Sequence, residues 1–488
     1  MRTLEKTALL VVILISINGC NSLLDVEAKK NITGDIYSTE GDIQRALNGA
    51  YFNLGGINDG VDGGELFGGD FIVIPSLMAI EPFEVTWDDI SGPNYSDFAD
   101  VDIQAVNPRV EANWRRAYEI INTLNSILLN IDNVSASKQD KIEGEALAMR
   151  AILYFEMARL WGPEYQLSTT SELVLPLLLE PVEVPGSSPA LNTLEEIYAK
   201  VEEDLIEAST LLQSRGKNGD NLSYYTCQAY LMRLSMHTND YPSAISYADN
   251  IISGPFELAT TPQAAFNNTS NSTEDIFAIQ QTAANNSGNI SNGTGIVNYY
   301  SSLNSQGLGA MRISSFYLNN LFDDFDYSPE YSSTDLRGTL DAEVGSGEGP
   351  DDITDAFYQN VLNTETLSPG KFLASHTVIP VVRLAEVILT RAEARAFLSP
   401  AVVDPIALED MNAIRARAGI AELDASDFSI GIDLYDSILV ERRREFLYEG
   451  ILFHDMKRRD EEINGTPLSD PKFILPIPQS EQDAGSSE

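Results

Sequence analysis

Nine segments of this chain space their apolar residues at three and four, and two long stretches between them have no regular period. Intervals of three and four gather side chains on one face of an α-helix. The periodic segments are 39–54, 110–132, 138–161, 191–213, 222–237, 241–253, 382–398, 404–417 and 433–458. In the first of them Ile43, Ala46, Leu47, Ala50, Tyr51 and Leu54 share a face, and Gly55-Gly56 ends the helix. The aperiodic stretches, 55–107 and 254–378, read as loop; one strand-like run, Ile276 to Gln280, stands out in the second. Structureless insertions of that length in a compact fold are usually functional.

Adjacent helices joined by short turns form hairpins. The clearest spans Tyr224 to Ile252, where Ala229, Leu234, Asn239-Asp240-Tyr241, Ala244, Tyr247 and Ala248 resemble a tetratricopeptide unit. A second pairs Arg383–Leu398 with Ala407–Arg417. Such units bury their apolar faces only against neighbours, so several stack together. The expected fold is mainly α, a tetratricopeptide-like helical-hairpin scaffold with long irregular loop insertions. Its two regions, 20–215 and 216–488, read as one composite globular unit.

The N-terminus suggests a destination. Arg2 and Lys6 precede a ten-residue apolar run, Ala8 to Ile17, followed by Asn18-Gly19-Cys20. A bilayer span needs about 20 apolar residues, whereas this length suits a signal peptide. Small residues ahead of a cysteine match a bacterial lipoprotein signal, with 1–19 removed and Cys20 lipidated. A plain secretory signal is the alternative, and it leaves Cys20 without a role. Residues 21–35 then read as a polar tether, and no other segment is apolar and long enough to span.

Charge narrows the partners. With 31 Lys and Arg against 73 Asp and Glu, the net charge is −42. Nucleic-acid binders gain affinity from cations that displace counterions, so that class is excluded. Two cysteines, Cys20 and Cys227, make no disulfide framework, and His237, His376 and His454 make a poor zinc set. Nucleophile-elbow, phosphate-loop and zinc-protease motifs are missing. A glycoside-hydrolase carboxylate pair depends on separation in space, which 73 acidic residues leave open. Asp59, Asp62 and Glu65, or Asp323, Asp324 and Asp326, have the composition of a Ca²⁺ loop but read better as solvated acidic loops. No metal or cofactor is expected.

Several motifs, in order, carry a family resemblance. Ala46 to Tyr51 comes first, then Trp114, Tyr118, Ile121 and Asn125 on one helix, and Arg150, Tyr154, Phe155 and Trp161-Gly162-Pro163 on the next. Glu203-Asp204-Leu205 follows, then Arg383 to Leu389 with Ala392-Glu393-Ala394, and Asn412 to Gly419. Glu441 to Phe446, Glu449-Gly450, Asp455, Arg458 and Leu475 to Glu481 complete the series. Together they resemble the SusD/RagB family of Bacteroidetes outer-membrane lipoproteins. Leu452 departs from the pattern, standing where that family usually has arginine. The resemblance implies a non-catalytic, surface-exposed lipoprotein of the cell outer membrane. It would capture an oligosaccharide and deliver it to a SusC-like TonB-dependent transporter; peptide capture, or a surface glycoside hydrolase, are the other readings.

The motif charges look structural. Glu386, Glu393, Arg383, Arg415, Arg417, Glu441, Arg442, Glu445 and Glu449 lie among apolar residues, where charges persist only when paired. Trp114, Trp161 and Cys227 read as core, and Gly419 and Gly450 as helix C-caps. Trp87 differs, because Glu84 to Asp89 has no helical period. An aromatic face can stack on a sugar ring while nearby Asp and Asn groups bond its hydroxyls. The candidate ligand contacts are therefore Trp87, Asp88, Asp89, Asn94 and Tyr95, with Tyr299, Tyr300 and Tyr317 from the middle insertion; Phe316 is a lesser candidate. The resemblance supports these loops by region only.

Overall fold

The computed structural model describes residues 36–485 except 58–62, 81–84, 88–94, 167–171, 183–188, 214–218, 267–269, 283, 288–294, 301–309, 315–317, 319, 323–334, 339, 342–357, 361–365, 370 and 373–376. Cys20, Asp88, Asp89, Asn94, Phe316, Tyr317, Asp59, Asp62 and the acidic run 323–326 thus lie outside the described residues.

Helices dominate, as the periodicity requires. Helix α1 is Glu40–Leu54, α2 Asp70–Met78, α3 Ser96–Ala99, α4 Pro108–Leu129, α5 Ala136–Trp161 and α6 Leu194–Leu211. Next come α7 at Tyr224–His237, α8 at Tyr241–Ile252, α9 at Ile296–Tyr300, α10 at Leu384–Leu398 and α11 at Pro405–Arg417. Helices α12 (Gly431–Phe446), α13 (Ile451–Arg458) and α14 (Gln479–Gly485) close the chain. Their starts are written in the sequence. Thr39 with Asp42 and Thr193 with Glu196 form reciprocal capping boxes, and Asn107 caps α4 ahead of Pro108 at the first helical position.

Packing follows chain order: α4 on α5, α5 on α6, α6 on α7, α7 on α8, then α8 on α10 and α10 on both α11 and α12. This is the stacked-hairpin arrangement, and α7–α8 turns through Asn239, a non-glycine residue at φ 59°. Motif side chains tie successive layers together. Arg150 of α5 grips Asp204 of α6 at 2.8 and 3.0 Å and donates to Asn125 of α4 at 2.9 Å. Trp114 and Trp161 are buried and meet edge to face, and the Trp161 indole donates to the Pro476 carbonyl. Cys227 is buried too. One apolar cluster runs from Ile43 to Leu475; a smaller one, with Ala392, Met411 and Leu434, lies between α10, α11 and α12.

Two expectations need correction. The segment 433–458 is not one helix: Leu447 leaves the helical region and Gly450, at φ 74°, starts α13 as its N-cap. Gly419, at φ 78°, does follow a helix end. Residues 55–107 also hold more than loop, for Asp70–Met78 is a helix buried on every side. A helix with no exposed face has no amphipathic period to read.

The middle insertion is partly sheet. Strand β2 (Leu173–Pro176) pairs antiparallel with β3 (Leu191–Thr193) beside the N-terminal helices, and the strand-like run of the insertion forms β4 (Asp275–Ile279), antiparallel to β9 (Ile379–Arg383). Short strands β1 (Val85–Trp87), β5 (Met311–Ser314), β6 (Leu340–Asp341), β7 (Tyr358–Asn360) and β8 (Thr366–Pro369) make a sheet in the order β1-β5-β8-β7-β6. Strand β1 brings the early loop to the middle insertion, with Val85 opposite Ile313 and Trp87 opposite Met311.

Buried charge nails this insertion to the helices. Arg383 bonds Glu445 and Glu449, each at 2.7 Å, and reaches Glu274 at 3.2 Å. Arg417 meets Glu274 at 2.6 Å and also pairs with Glu445. From the insertion, Arg337 pairs with Glu441 and Lys371 with Glu449, both at 2.6 Å. The motif charges thus act in packing, as buried pairs do when every member is matched.

Candidate functional site

Strand β1 and helices α2, α3, α4 and α9 converge on Trp87. Its ring lies 4.6 Å from that of Tyr95 and 5.4 Å from that of Tyr299. The two tyrosines, 4.9 Å apart at their centroids, are buried, whereas Trp87 keeps part of its surface in solvent. Offset, tilted rings at these separations attract through their quadrupoles as well as by burial. Together they form a rigid base under one accessible indole. Its Nε1–H is buried without a hydrogen-bond partner among the described residues.

Beneath the rings sits a polar anchor. Asp70, the first residue of α2 and fully buried, accepts from the Tyr95 hydroxyl, from Arg109 Nε at 2.9 Å and from the Asn113 amide. The Tyr299 hydroxyl lies 2.9 Å from that of Tyr95. Since Tyr95 gives its proton to Asp70, Tyr299 can donate in turn. Asn113 accepts from the Leu66 amide at 2.7 Å, which fixes the turn before α2. Arg109 also donates to the Gly63 carbonyl and lies 5.6 Å over the Tyr95 ring.

Electrostatics hold the cation and the phenols of this anchor in their ordinary forms, while burial raises the pKa of the Asp70 carboxyl against the pull of Arg109. Burial works against the Arg109 charge, but Asp70 beside it outweighs this and raises the guanidinium pKa well above its usual range. Burial pushes the Tyr95 phenol well up and that of Tyr299 to about 12, so both stay neutral donors. Glu65, just before the same turn, is fully buried with neither oxygen bonded among the described residues. Burial raises its pKa, against the pull of Arg109. Among the described residues no group of three His, Cys, Asp or Glu side chains could hold a metal.

The structure sorts the sequence candidates. Trp87, Tyr95 and Tyr299 come together, although they are far apart in the chain. Tyr95 and Tyr299 are buried, so in this arrangement they support the indole and offer no ring face of their own. Tyr300 points elsewhere: it is fully buried against Phe372 and Tyr448, on the side of the charged clamp. Its place among solvent-facing candidates is corrected, since one helical step turns it about 100° from Tyr299. Asp70, Arg109 and Asn113 were missed. A single acid heading the apolar run Phe71 to Met78 was their available signal, because a carboxylate there must be paired.

Comparison with known proteins agrees with this architecture. Residues 354–473 match the family described as the SusD family, and residues 83–235 one described as "Starch-binding associating with outer membrane". The two matches together span more than half the chain, and the first contains the clamp residues Lys371, Arg383, Arg417, Glu445 and Glu449. The chain belongs to the SusD family. A SusD-like protein of Bacteroides ovatus is 24% identical over 403 residues, covering 74% of this chain and 68% of the relative. SusD-like protein P25 of Formosa agariphila is 27% identical over 210 residues, 41% of this chain and 37% of that one. A SusD superfamily structure from Bacteroides thetaiotaomicron superposes with a TM-score of 0.74 at 23% identity, over 92% of this chain and 98% of that one. A structure titled a putative sugar binding protein, from Bacteroides vulgatus, gives 0.72 at 22%, over 92% and 97%. At such identities the structures establish the SusD fold, mainly helical.

Proposed function

We propose that this SusD-family chain is a non-catalytic glycan-binding lipoprotein of the outer-membrane surface, anchored through Cys20. It captures oligosaccharide on Trp87 and passes it to a SusC-like TonB-dependent transporter. One observation carries the reading: a single indole, partly open to solvent, rests on two buried tyrosines that a fully matched Asp70–Arg109 pair holds still. A rigid aromatic face costs little entropy when a sugar stacks on it. Asp88, Asp89 and Asn94, which follow Trp87 in the sequence, and Tyr317 of the middle insertion remain the candidate partners for sugar hydroxyls. The names of relatives, one a putative sugar binding protein, support the ligand class.

The test is calorimetric titration of the soluble body with neutral oligosaccharides, in wild type and Trp87→Ala. Losing the stack is expected to weaken binding about tenfold with folding unchanged, from roughly 1.4 kcal/mol of lost contact. Unaltered affinity in the variant would remove Trp87 from the site. Binding of peptides and of no glycan would transfer the proposal to peptide capture, and hydrolysis products in the titrated sample would overturn the non-catalytic reading. Mass spectrometry of the protein extracted from membranes checks the acyl group on Cys20.

A further inference from the structure

Where α5, α7, α10, α12 and α13 cross, far along the chain from Trp87, their side chains line a small cavity of about 20 Å³. That is room for one small sphere. Four guanidiniums line it, Arg159, Arg233, Arg442 and Arg458, against two carboxylates, Glu386 and Asp455. Three of the four are committed. Arg233 grips Glu386 through two bonds of 2.7 Å, Arg442 holds Asp455 and Thr390, and Arg458 binds Glu393 and Asp455.

The exceptions are informative. Arg159 pairs with Glu156 through its terminal nitrogen, but its Nε is buried with no partner among the described residues. His454, 3% exposed, has both ring nitrogens buried and unpartnered among the described residues. Native interiors match nearly every such group, and an orphan usually marks an unseen water or ion. Here the certain lack is an acceptor: Arg159 Nε–H and the N–H of a neutral imidazole are both donors. After burial, the strongest influences on the His454 ring are Arg159, His237, Lys457 and Arg233, and all of them disfavour its proton. A potential that repels a proton attracts an anion.

We infer that this cavity binds one small monovalent anion the size of chloride, held by Arg159 Nε and a ring N–H of His454. A water can accept from both donors; the excess of guanidiniums over carboxylates in the wall is what favours an anion in its place. The anion bridges α5 to α13 and so braces the N-terminal hairpins against the C-terminal ones. It is independent of the glycan site.

Bromide is the probe. Crystals of the soluble body grown in sodium bromide should show an anomalous peak within hydrogen-bonding reach of Arg159 Nε and the His454 ring. Replacing gluconate by chloride at constant ionic strength should raise Tm by about 2 °C per tenfold chloride once the site is near saturation. His454→Phe fills the space without a donor and should abolish both effects. No anomalous peak in the wild-type crystal, or equal Tm in gluconate and chloride, overturns the inference and leaves water as the occupant. The wild-type measurements decide even if the variant fails to fold.

Discussion

Tyr95 joins two parts of the site in one side chain, its ring under Trp87 and its hydroxyl on Asp70. Tyr95→Phe keeps the ring and removes the proton that Asp70 accepts, so it separates the two contributions. Asp70 retains Arg109 and Asn113, and the expected loss of stability is about 1–2 kcal/mol in a urea melt. Glycan affinity should fall less than in Trp87→Ala; an equal or larger fall would mean that the hydroxyl, not the platform, meets the sugar. A second residue reports on pH. Asp275 accepts from the Ser272 amide and hydroxyl, yet burial raises its pKa to about 7. Because the folded value exceeds the ordinary one, the folded state holds the proton more tightly. Its contribution is complete below about pH 4 and is lost as pH rises through about 7. Asp275→Asn, which cannot ionise, should flatten stability between those limits. Parallel curves for wild type and variant across pH 4, 5.5, 7 and 8 would contradict this.

At the scale of elements, legibility followed exposure. Helices α1, α4, α8 and α11 were readable because each keeps exposed positions and a side-chain N-cap; α7 and α10, buried over most of their length, were readable through their motif residues instead. Helix α2 was not, since Phe71 to Met78 are buried all round, and the short strands β1 and β5 to β8 carry too few residues to show alternation. The break at Gly450 has a packing cause. A Cβ there would lie 2.9 Å from Ile72 Cα and from the Phe71 carbonyl, and the Gly450 amide donates to Ser76 of the same helix. The glycine lets α13 lie against α2, the helix that carries Asp70. Gly450→Ala adds both this overlap and a left-handed backbone strain, and should cost about 2–4 kcal/mol. It should also weaken glycan binding with no contact of its own, through the shift of α2. A variant as stable as wild type would show that the α2–α13 contact yields freely.

For the whole molecule, the clamp around Arg383 explains why function and fold were unequally legible. The charged motifs of the C-terminal third were plain in the sequence, and their partners, Glu274, Arg337 and Lys371, come from the aperiodic insertion. No spacing rule links residues so far apart; only the fold does. The same distance hid the meeting of Trp87 with Tyr299, while composition alone bears on cargo. A net charge of −42 acts beyond any single contact and falls off over about 10 Å at 0.1 M salt. A uronate-rich or sulfated chain approaching Trp87 meets repulsion that a neutral glucan, mannan or xylan does not. Affinity for neutral oligosaccharides should therefore change little between 20 and 500 mM salt. Any residual binding of polygalacturonate should be weaker and should tighten as salt is added. Titrations at the two ionic strengths, with chelator present to remove Ca²⁺ bridges, measure both slopes. Tighter binding of the polyanion at low salt would place a local positive surface at the site strong enough to reverse the field of the whole protein.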